Sequence, residues 1–177
     1  VPVWITSGAS GGTPMYEALT KARDVVARHA AQFPDSYPPI VINITDGRPN
    51  GGYDRIKAIS NDIRSISTSD GDTLLMNIHI SHSQSGSLVF PSLHEATTPP
   101  DDAVLPMAEC TSLLPANMLV QARKSKMHVK EGSIAMIIDA DWGMLTKFLR
   151  IGTTLQQDPE ALAPVLELPE TTSEVVG

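Results

Sequence analysis

The ten residues from Pro38 to Gly47, Pro-Pro-Ile-Val-Ile-Asn-Ile-Thr-Asp-Gly, constrain this chain more than any other stretch. Five of the six residues from Ile40 to Thr45 are β-branched. Branching at Cβ suits a pleated strand and restricts rotamers in a helix. The run barely alternates between apolar and polar residues, the pattern of a central parallel strand covered on both faces. It stops at Asp46 on a glycine turn. Ligands of open α/β sheets bind where such strands end, so Asp46 stands where function is expected.

The flanking segments read as helices. Pro14 suits the first position of a helix with Thr13 as its N-cap, and Ala18, Leu19, Ala22, Val25, Val26 and Ala30 give that helix an apolar stripe to about Ala31. Ile56, Ile59, Ile63 and Ile66 fall at helical spacing. Asp70-Gly71 turns into a second strand, Thr73–Ser81, and Ser133–Ile138 reads as a third. Between them, residues 82–106 carry four prolines and read as a long irregular connection, a candidate for specificity. Pro115 separates two helical pieces, and Asp139 or Asp141 is expected to cap a last helix running through Phe148. The expected class is α/β, a mostly parallel sheet with helices on both faces. With only three firm strands, the first is left without one neighbour, and its open edge calls for upstream sequence, another chain or the Val3–Ile5 segment.

Charge narrows the partners. Of the 20 acidic residues, five lie in residues 153–177, which hold no Lys, Arg or His, so the body is nearly neutral at 15 acids against 13 bases. That argues against nucleic acid or an anionic membrane as the main partner. The acidic, proline-interrupted stretch reads as a flexible tail, and residues 1–152 as the domain. A single cysteine, Cys110, excludes an intramolecular disulfide and a thiolate metal cluster, which points to a reducing, cytoplasmic setting.

Gly11-Gly12-Thr13-Pro14-Met15 opening a helix, followed about thirty residues later by a strand ending Ile44-Thr45-Asp46-Gly47, resembles two of the three loops of a von Willebrand factor type A (vWA) domain. The likeness to a bacterial group of these domains extends to Leu75-Met76-Asn77-Ile78-His79-Ile80-Ser81 and to Ala140-Asp141 with Phe148-Leu149-Arg150-Ile151-Gly152-Thr153. It covers about residues 4–154. The resemblance implies a Rossmann-like fold and a metal-ion-dependent adhesion site that holds Mg²⁺ or Mn²⁺ and grips an Asp or Glu of a partner protein. It implies metal-ligating roles for Thr13 and Asp46 and partner contacts near Gly12, Gly47 and Arg48. The family's D-x-S-x-S loop has no counterpart here, so the expectation is the C-terminal two-thirds of such a domain.

Rival readings of the same residues are narrower. Gly8-Ala9-Ser10-Gly11-Gly12 matches the nucleophile-elbow pattern, and Asp46 and His79 follow in serine-hydrolase order. Three residues nevertheless separate Ser10 from Pro14, where an elbow enters its helix directly. His79 and His82 point to opposite faces of a strand and cannot share a metal without a bend. A degenerate structural subunit is the stronger alternative to a metal-dependent binder, and no enzyme activity is expected.

Overall fold

Alternating strand and helix segments fold as a three-layer α/β arrangement. A computed structural model of the chain describes residues 12–46, 50, 52–80, 87–98, 104–140, 143 and 145. In chain order the elements are α1 (Met15–Gln32), β1 (Ile40–Thr45), α2 (Tyr53–Arg64), β2 (Ser67–Thr68), β3 (Gly71–Asp72), β4 (Leu74–His79), β5 (Leu88–Val89), α3 (Leu93–Ala96), α4 (Val104–Cys110), α5 (Ala116–Lys124) and β6 (Met136–Ile138). The main sheet has the order β1-β4-β6-β5. Its first three strands run parallel, and β5 is antiparallel to β6 at the far side. The β2–β3 pair forms a separate small hairpin across the Ser69-Asp70 turn.

Each face of the sheet carries its own apolar cluster. Met15, Leu19, Ile56, Ile59 and Ile63 of α1 and α2 pack with Leu75, Met107 and Met136 on one side. Leu74, Met76 and Ile78 pack with Met118 and Ala122 of α5, Phe90 and Ile137 on the other. The β4 strand lies between them with all six residues buried.

Three details differ from the sequence expectations. In α1 the buried stripe is Met15, Leu19, Val26 and Ala30, while Val25 is 56% exposed, because only one helix face meets the sheet. Thr13 is not a side-chain cap. Pro14 takes the N-cap position without a side-chain hydrogen bond, and Thr13 contributes its carbonyl, which accepts the Met15 N–H at 2.8 Å. The stretch 82–106 is not wholly irregular. It holds β5, the start of α4 and the short α3, whose Ser92 and Glu95 close a reciprocal capping box.

The largest difference concerns β1. Rather than being covered on both faces, it buries only Thr45, and Ile40, Ile42 and Ile44 stay 38%, 36% and 47% exposed. These three are in register with Leu74, Met76 and Ile78, so they lie on the α5 side of the sheet. The cluster under α5 includes no β1 residue. Among the described residues β1 has a neighbour only in β4, which leaves its other edge open. No helix among the described residues is long and apolar enough to cross a membrane. The expected final helix and acidic tail lie outside the described residues, apart from Gly143 and Leu145.

Candidate functional site at the strand ends

A polar column inside the sheet leads to its C-terminal rim. Asn43 of β1 donates to the side-chain carbonyl of Asn77 at 2.8 Å. The Asn77 amide donates in turn to Thr111 Oγ1 at 2.8 Å and to the Met107 carbonyl at 3.2 Å. The Thr111 hydroxyl completes the network by donating to the same carbonyl at 2.7 Å. Asn77 is only 3% exposed, so its amide depends on these partners. The network ties β1 to β4 and to the end of α4.

One step further along the strands, Thr45 is in register with His79. His79 is 6% exposed, and its Nδ1 lies 3.5 Å from Asp139 Oδ1, an ion-pair separation without a hydrogen bond. Asp139 reaches this place from the end of β6 through a left-handed backbone, φ 54°, which an aspartate tolerates better than most residues. Around the pair, the Ile80 N–H donates to the Thr45 carbonyl at 2.9 Å and the Ala140 N–H to the His79 carbonyl at 3.1 Å. Ser87 Oγ donates to the Asp139 carbonyl at 2.6 Å. The carboxylate beside His79 is therefore Asp139.

The start of α1 comes to this same end of the sheet. Asn43 Nδ2 lies 3.8 Å from Met15 Sδ. The Asn50 N–H donates to the Thr13 carbonyl at 3.0 Å, joining the loop before α1 to the loop after Asp46. Gly12 permits that contact: a Cβ there would come within 2.1 Å of Asn50 Nδ2. Thr13 is half-buried and Asp46 is exposed. Gly47 and Arg48, expected at the partner surface, and Ser10, the rival nucleophile, lie outside the described residues.

Donor chemistry at this rim suits a hard cation, because a threonine hydroxyl and an aspartate carboxylate are both oxygen ligands. Among the described residues no group of three or more His, Cys, Asp or Glu side chains is placed to hold a metal ion. An ion at Thr13 and Asp46 would therefore draw its other ligands from water, from a partner or from chain beyond the described residues. Cys110 offers no alternative chemistry, since burial pushes its thiol up and keeps it protonated. Near it, Tyr53 donates a short hydrogen bond to Glu109, which Lys57 also approaches at 3.5 Å. Burial, and then that hydrogen bond, hold the Tyr53 hydroxyl well above the ordinary phenol range.

Sequence reasoning passed over the Asn43–Asn77–Thr111 network and the His79–Asp139 pair. A signal for their β1 and β4 members was present, though not for Thr111 or Asp139. Asn43 and Thr45 in β1, like Asn77 and His79 in β4, interrupt apolar runs at a spacing of two, which marks one polar stripe on one sheet face. Comparison with protein families, with curated proteins and with solved structures finds no match for this chain.

Proposed function

We propose that this chain forms part of a vWA-type domain that binds a protein partner through Mg²⁺ or Mn²⁺, without enzymatic chemistry. The contact between the Gly12–Thr13 loop and the loop after Asp46, made by Asn50, is the observation that supports this reading most. It joins the segment carrying a hydroxyl to the segment carrying a carboxylate, at the end of the sheet where α/β folds bind ligands. In this reading Thr13 offers its hydroxyl and Asp46 its carboxylate, directly or through water. A bound hard cation with few anionic ligands stays electrophilic and takes an Asp or Glu side chain of the partner. Gly12, Gly47 and Arg48 border the partner.

Calorimetric titration with Mn²⁺ tests the proposal. The expected result is saturable binding that Asp46→Ala abolishes while the unfolding midpoint stays unchanged, because Asp46 is exposed. Equal binding by that variant would remove Asp46 from the site.

The exposed Ile40, Ile42 and Ile44 favour a second reading, a structural subunit with a degenerate metal site. Its open β1 edge would be completed by upstream polypeptide or by another chain. An unpaired parallel edge with an apolar face is unusual in a lone domain. Absence of any heat with Mg²⁺ or Mn²⁺, together with a stable complex lost on Ile42→Lys, would favour this scaffold.

A further inference from the structure

Helix α5 ends in the most concentrated positive charge of the chain. Arg123, Lys124, Lys126 and Lys130 fall within eight residues that contain no acid, and His128 lies among them. All five are exposed. Lys130 pairs with Glu95 at 2.7 Å. Among the described residues, Arg123, Lys124 and Lys126 have no carboxylate within ion-pairing distance. Arg123 and Lys124 also complement the negative end of the helix dipole, which accounts for two of these charges.

Lys126 needs a further explanation. The Lys126 N–H donates to the Arg123 carbonyl at 2.9 Å and the Met127 N–H to the Ala122 carbonyl at 3.0 Å, the paired bonds of a Schellman terminus. Lys126 occupies its left-handed position, φ 59°, where glycine is the unstrained residue. A cation therefore sits there against the backbone's preference.

We infer that the acidic segment 153–177 of this chain docks on the basic surface of Arg123, Lys124, Lys126 and His128. The segment carries Asp158, Glu160, Glu167, Glu170 and Glu174 and no base, so its charge is complementary. Leu145, the last described residue before that segment, lies on the same face of the sheet as α5. Leu145 packs against the same apolar cluster as Met127 and Val129, which flank His128. The eight residues that follow Leu145, up to Thr153, can span at most about 28 Å. The inference is independent of any metal at Thr13 and Asp46.

The test is zero-length carbodiimide cross-linking of the full chain at low ionic strength, with the monomer isolated and its peptides mapped. Links from Glu160, Glu167, Glu170 or Glu174 to Lys124 and Lys126 are expected to exceed links to Lys21 and Lys57, which are also exposed. Their yield should fall at about 1 M salt, where the screening length is near 3 Å. A second measurement compares the amide spectrum of the full chain with that of its Asp158→Asn, Glu160→Gln, Glu167→Gln, Glu170→Gln, Glu174→Gln variant. Shift changes concentrated between Val120 and Lys130 support docking. Links spread evenly over all lysines, or unchanged shifts in that stretch, overturn it.

Discussion

Strands β1 and β4 are neighbours of six residues each, paired in parallel along their whole length, yet their surroundings are opposite. The β4 strand is sealed by a cluster on each face. The β1 strand shares the first cluster through Val41 but presents three isoleucines outward on the second face. Position in the sheet produces this contrast, since the two strands are similarly apolar. A strand is enclosed only when the layers beside and above it are present, and β1 lacks part of both among the described residues.

The largest test of the contrast is a pair of truncations. Ile78→Ala removes a side chain with no exposed surface and should cost about 3–4 kcal/mol in urea unfolding. Ile42→Ala removes one that is already 36% exposed and should cost about 1 kcal/mol. Equal losses would mean that something covers β1 in solution.

Polar links between the two strands come next. Asn77→Ala would leave the buried Thr111 hydroxyl with fewer partners and the Asn43 amide without its oxygen acceptor, a loss of about 2–3 kcal/mol by chemical denaturation. Asn43→Ala, on the open strand, should cost less, about 1 kcal/mol. If the two are equal, β1 is as enclosed as β4.

These comparisons also show what was legible in the amino-acid order. The strand at Ile40–Thr45, the isoleucine-faced α2, the β4 strand and the three-strand parallel core follow from β-branching and from spacing, which are local properties. The open edge of β1 among the described residues was legible too, from a count of strands. Which face of β1 stays open was not, because that depends on where α5 packs. The Thr13 N-cap expectation failed because the helix starts one residue later than expected, at Met15, so that Pro14 with its non-helical ψ of 54° holds the cap position. The His79–Asp139 pair was hidden because its members are sixty residues apart in sequence and meet only through the order of β4 and β6.

Smaller effects probe regions away from the β1–β4 boundary. Lys126→Gly relieves a left-handed backbone and should stabilise the α5 terminus by about 1 kcal/mol or less, read as a rise in the unfolding midpoint. Unchanged or lower stability would show that the charge at Lys126 outweighs the strain. The capping box of α3 should respond to acid. A hydrogen bond from Lys130, then the Ser92 N–H and hydroxyl, hold the Glu95 carboxyl down to about 2 from an ordinary 4.5. A depressed carboxyl contributes its full stabilisation above its unfolded value and loses it as pH falls through the folded one. The Glu95 contribution should therefore be complete above about pH 4.5 and fade toward pH 2, a slope that Glu95→Gln should remove. A slope that persists in that variant would place the acid sensitivity elsewhere.

The binding proposal rests on where an ion sits, and paramagnetic broadening by Mn²⁺ reads that position directly. Substoichiometric Mn²⁺ added to the labelled full chain should erase the amide signals of Gly12, Thr13, Thr45 and Asp46 before those of Leu113 or Glu131. Asp46→Ala should restore them. Broadening that begins elsewhere, or that is identical in the Asp46→Ala protein, would contradict a cation held at this rim.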